Sequence, residues 1–70
     1  MITLRLTCDA FWVDVRLREI NGRWLASTDT PNGPSVGLGH GAAEAIEGAL
    51  EPFQGAIEDL MASLPGQWIA

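Results

Sequence analysis

Cysteine, histidine and basic residues are scarce in these 70 residues, and each shortage closes off a class of chemistry. Cys8 has no second cysteine to pair with, so no internal disulfide can form. A lone thiol fits a reducing cytoplasm, which is the expected compartment. His40 is the only histidine, and one His with one Cys far away in sequence does not make a transition-metal site; neither metal nor cofactor is expected. The basic residues number four against nine acids, for a net charge of −5. Phosphate backbones are held by clustered Lys or Arg, so direct nucleic-acid binding is not expected. No apolar run approaches the roughly 18 residues of a membrane span. The N-terminus also shows no charged start, apolar stretch and cleavage site of a signal peptide, so no membrane partner is expected.

What is present is apolar surface. Hydrophobic residues make up 47% of the chain, three of them tryptophans. Residues 1–70 suffice for one domain, and a domain this small buries only about 60% of its unfolded surface. With no disulfide or zinc to reinforce it, self-association as a homo-oligomer, simplest as a dimer, is the expectation. Charge divides unevenly along the chain. Arg5, Arg16, Arg18 and Arg23 fall in the first third, near Asp9, Asp14, Glu19 and Asp29. From Pro31 onward come Glu44, Glu47, Glu51, Glu58 and Asp59 with no base, a surface that would steer basic partners.

The first 28 residues read as strand. Ile2, Leu4, Leu6 and Cys8 alternate with polar neighbours, and Phe11, Val13, Val15 and Leu17 do the same one position out of phase. That phase change demands a bulge or a tight turn at Cys8-Asp9-Ala10. Strands are placed at about 2–8 and 10–20. Asn21-Gly22 tolerates the two positive φ angles of a type I′ turn and leads into a further strand at 22–29. Asp29 to Pro34, with two prolines and a glycine, reads as a loop, and 35–38 as a short additional strand.

The remainder is helical. Ile46, Ala49, Leu50, Phe53, Ile57, Leu60 and Leu64 recur at the 3.6 period, and Pro65-Gly66 closes the run. Pro52, flanked by Gly48 and Gly55, predicts a kink or a break near Glu51. The fold class expected is therefore α+β. An antiparallel sheet of about three strands, four if 35–38 counts, is covered on one face by one long, kinked helix at about 42–64, followed by an apolar tail at 65–70.

Catalytic groups are hard to assemble from this inventory, and no enzyme is expected. His40 would need Ser35 or Cys8 as a nucleophile, and a loop histidine beside a helix start is the simpler reading. Gly37-Leu38-Gly39-His40-Gly41 departs from both GxGxxG and the P-loop, and Glu44 and Glu47 would repel an anion there. A magnesium-dependent phosphodiester enzyme would use Asp14 with Glu44 or Glu47, yet alternation with Val13 and Val15 points Asp14 away from the helix-covered side. Binding is the better use of the surface. The acids Glu44, Glu47, Glu51 and Glu58, the sheet tryptophans Trp12 and Trp24, and Trp68 in the tail are the candidate partner-binding residues.

The run Asn21-Gly22-Arg23-Trp24-Leu25-Ala26, the proline-glycine loop, and Gly39-His40-Gly41-Ala42-Ala43-Glu44-Ala45-Ile46 opening a helix together resemble the HicB-type antitoxin domain, over about Val13 to Leu64. The resemblance implies a partial RNase-H-like β-β-β-α arrangement without RNase activity. It also implies an oligomer that, in true antitoxins, covers a small basic RNA-cleaving toxin of the HicA kind. The chain departs from the family where Gly41 replaces a capping Thr or Ser and where the loop reads Pro31-Asn32-Gly33-Pro34. No room is left for the helix-turn-helix or ribbon-helix-helix segment that typical antitoxins append, so DNA binding is not expected. The function expected is a non-catalytic interaction module, with an accessory subunit of a larger complex as the alternative.

Overall fold

The computed structural model describes residues 1–68. Ile69 and Ala70, from the expected apolar tail, lie outside the described residues. Four strands form one antiparallel meander in the order β1 (Ile2–Thr7), β2 (Trp12–Ile20), β3 (Arg23–Thr30) and β4 (Gly33–Gly39). Helices α1 (Ala42–Ala49) and α2 (Ile57–Ala62) follow, separated by a 3₁₀ turn at Glu51–Phe53; a second 3₁₀ turn at Gly66–Trp68 closes the described chain.

Tight turns set the sheet. Asn21 and Gly22 have φ of 52° and 78°, as the Asn-Gly signal requires. Cys8 N–H donates to the Phe11 carbonyl at 3.0 Å, so the phase change at Cys8-Asp9-Ala10 is a turn and not a bulge. The expected loop from Asp29 to Pro34 shrinks to Pro31-Asn32. Thr30 pairs with Gly33 and Asp29 with Pro34, while Asn32 N–H donates to Thr30 Oγ1 at 3.1 Å. Pro34 is tolerated in the ladder because β4 is an edge strand, where a missing N–H costs no partner. The short additional strand expected at 35–38 is thus a full seven residues.

Registers with odd sums make the buried parity flip at every turn. Even positions of β1, odd of β2, even of β3 and odd of β4 share one face. On that face Leu6, Val13, Val15, Leu17 and Ala26 are buried, and Thr28 is buried with its Oγ1 donating to the Asp14 carbonyl at 2.9 Å. Ala42, Ala45, Ile46, Ala49, Leu50, Leu60 and Leu64 cover them from the helical side. Each large aliphatic side chain taken out of water there contributes roughly 1.5–3 kcal/mol.

One long helix is the expectation the structure corrects. The apolar stripe faces the sheet, and the interruption expected near Glu51 is a break: Pro52 falls in the 3₁₀ turn and Gly55 beyond it takes φ of 92°, a left-handed value incompatible with a continuing helix. The chain therefore breaks and restarts at Ile57. α1 lies over β4 and β3, and α2 reaches β1. Ser63 Oγ accepts the Thr7 N–H at 3.0 Å and donates to the Leu60 carbonyl at 2.7 Å, tying the helical end to the first strand. No helix among the described residues is long and apolar enough to cross a membrane.

Candidate interaction surfaces

The same parity that buries the core gathers all four arginines on the opposite face of the sheet. Arg5 on β1, Arg16 and Arg18 on β2, and Arg23 on β3 occupy the solvent-side positions together with Asp14 and Asp29. The other seven of the nine acids lie elsewhere, so the molecule is electrically two-sided: an arginine-bearing sheet and an acid-only helical layer. Sequence order alone suggested a neutral first third. What was needed to see the segregation was the length of each turn, which decides the parity.

On the open sheet face Arg5 clamps two neighbours. Its Nε donates to Asp14 Oδ1 at 2.9 Å and its guanidinium carbon stands 3.8 Å from the centre of the Trp12 ring. Arg16 reaches Asp29 at 3.3 Å. The hydrogen bond from Arg5 holds the Asp14 carboxyl below the usual aspartate range, and the same bond raises the Arg5 guanidinium. Because the folded carboxyl is the stronger acid, the pair supports folding fully at neutral pH. That support fades as pH falls below the value of an unfolded aspartate, and is gone below the lowered one. In a carboxyl-detected NMR titration, Arg5→Ala should move the Asp14 midpoint upward; an unchanged midpoint would dissociate the shift from this contact.

Trp12 stands 54% exposed at the start of β2 on this face, while Val36 at 56% and Leu38 at 64% are exposed two strands away on β4, level with Arg16 and Arg18. Trp24 does not join them. It lies on the helix-covered face, half-buried, with Trp68 set edge-on at 6.0 Å between ring centres. Trp24, expected among the partner-binding residues, lies by its parity on the helix-covered face, across from the exposed Glu19 of β2. Trp68 folds back on its own sheet, and its indole Nε1 is buried without an acceptor among the described residues.

The acids expected to form one stripe are divided by the helix break. Glu47 and Glu58 rim a cleft between α1 and α2 whose floor includes the half-buried Ile57 and Met61. Glu51 borders a second cleft with Ser35, Val36 and Gly48, and Glu44 lies over Gly39 beside His40. All four glutamates are exposed.

The carboxylates weighed for magnesium are not brought together. Asp14 lies on the open sheet face against Arg5, whereas Glu44 and Glu47 belong to the helical layer on the other side. Among the described residues, no group of three or more His, Cys, Asp or Glu side chains is placed to share a metal. His40 is exposed at the α1 entrance, with Gly41 as an N-cap that offers no side-chain bond. Cys8 is half-buried against the core. No protein-family model, no curated protein and no solved structure matches the chain.

Proposed function

We propose that this chain is a non-catalytic interaction module resembling HicB-type antitoxin domains, acting in a reducing cytoplasm as a homo-oligomer that holds a small basic protein. The observation that carries the reading is the cleft between α1 and α2, where Glu47 and Glu58 border an apolar floor of Ile57 and Met61. An apolar floor with carboxylates at the rim suits a partner presenting aliphatic side chains flanked by Lys or Arg, since rim charges steer encounter and the floor supplies burial. The strand-turn-strand order ahead of α1 supports the family likeness. The exposed Val36 and Leu38 on β4, with Trp12 at the far end of β2, support self-association through the open sheet face.

The test combines mass and capture. Light scattering should return at least twice the 7.5 kDa of one chain. Co-expression with a small basic RNA-cleaving toxin should relieve its toxicity and co-purify it. The double variant Glu47→Lys, Glu58→Lys should lose both effects while keeping its melting temperature. A monomer that neither relieves nor retains any such partner removes the proposal.

A further inference from the structure

We infer that the free edge of β4 accepts an extended basic segment as a fifth strand of the sheet; this rests on the interaction-module reading and specifies the chemistry of the partner. The two edges of the sheet are unequal. β1 carries Arg5, and its outward Thr7 N–H is already taken by Ser63 Oγ. β4 carries no charged residue from Gly33 to Gly39, and strands left in that state are the ones that recruit another strand.

The register states which groups are on offer. Thr30 and Gly33 close a two-residue hairpin, so they form a hydrogen-bonded pair, and bonding alternates from there. Val36 and Leu38 then turn their N–H and C=O groups away from β3, toward solvent. Pro34 falls in the same outward phase, where its missing N–H leaves the β3 ladder intact.

The space beside the edge selects the occupant. α1 lies directly above β4, because Gly37 and Gly39 have no Cβ: a Cβ on Gly37 would meet the Ala49 nitrogen at 2.5 Å, and one on Gly39 the Glu44 Cβ at 2.8 Å. A second copy pairing β4 to β4 would bring its own α1 into the same space, with Glu44 and Glu51 of both chains crowded together. A bare extended segment brings no helix. On its helix side it meets Glu44 over Gly39 and Glu51 beside Ser35, four residues apart on β4, or about 14 Å at the rise of a strand. Lys or Arg at positions i and i+4 of the incoming strand match that separation. On the other side the pleat places i+1 and i+3 beside the exposed Val36 and Leu38, so aliphatic side chains fit there. Basic residues at i+1 and i+3 would instead face the arginine side of the sheet.

Two blocked peptides of identical composition separate pattern from charge. One carries Lys-Val-Thr-Val-Lys and the other Val-Lys-Thr-Lys-Val, each titrated into the full chain at low salt and followed by amide NMR. The first should bind about tenfold more tightly than the second, with the largest shifts at the Val36 and Leu38 amides. Val36→Pro removes one outward donor without touching the β3 ladder; it should lower that affinity about tenfold and leave the melting temperature near that of the parent. Equal affinity for the two peptides, or shifts confined to the cleft of Glu47 and Glu58, would overturn the edge site. Retention of a toxin partner by Val36→Pro would do the same while leaving the module reading in place. Loss of all toxin partners with patterned peptide binding intact would remove only the module reading.

Discussion

Gly37→Ala is expected to lower stability by about 3 kcal/mol or more, because the added carbon meets backbone that has no way to step aside. Built at Gly37, a Cβ collides with the Ala45 carbonyl, comes within 2.5 Å of the Ala49 nitrogen and lies 2.9 Å from the Gly48 carbonyl carbon. All three belong to α1, so relief requires lifting the whole helix off β4. That would open contacts of Ala45, Ile46 and Ala49, which are fully buried. A domain of this length has roughly 4–10 kcal/mol in all, so the loss is a large share of the total. Thermal melting should fall by roughly 12 °C or more, at about 4–8 °C per kcal/mol for a chain of this size. Gly66→Ala is the control, since open space surrounds that position; it should stay within about 0.5 kcal/mol of the parent. If Gly37→Ala melts with the parent, α1 does not lie on β4, and a second copy of the chain could then pair with that edge as well.

Leu17→Ala should cost nearly as much by the opposite mechanism. Leu17 is fully buried near the middle of the sheet, with Ile2 and Ala26 as its cross-strand neighbours. Small residues already line this side of the sheet at Ala26, Gly37 and Gly39, so little nearby bulk is available to refill the space. The expected loss is about 3 kcal/mol, made of lost transfer energy and an unfilled cavity. Leu38→Ala, on the exposed face, should change stability by no more than about 0.5 kcal/mol. Denaturant unfolding of the pair measures the contrast directly. Equal effects from the two substitutions would mean the buried parity has been assigned to the wrong face.

Which features were legible depended on whether local chemistry had a competitor. Asn21-Gly22 fixed its turn without help, and the alternation on either side gave β2 and the start of β3. The stripe from Ile46 to Leu64 named core residues correctly even though the helix carrying it is broken. Burial follows the spacing of apolar residues, and the break follows Pro52 and Gly55, which act on the backbone alone. β4 was nearly invisible because Pro34, Gly33, Gly37 and Gly39 are the marks of a loop. They are compatible with a strand only once it lies at an edge and beneath a close helix, and both facts are tertiary. The surfaces were harder still. Trp12 and Trp24 are both candidate partner-binding residues in sequence, but whether an even residue faces the core changes at each turn. The two-residue spans 9–10 and 21–22 together turn Trp24 inward and the arginines out, and of these only 21–22 carries a turn signal in the sequence.

The order of the strands bears on how fast this chain can find its shape. Every ladder joins neighbours across a two-residue connection, so each closes a minimal loop at little entropic expense. Such locality favours quick assembly in a topology that would otherwise be slow. A contrast is the clasp of Thr7 to Ser63, which spans 56 residues and joins the first strand to the helical end. Closing a loop of that length costs more than closing any of the hairpins, so the junction of first strand and last helix is a late and entropically dear seam compared with the turns of the sheet.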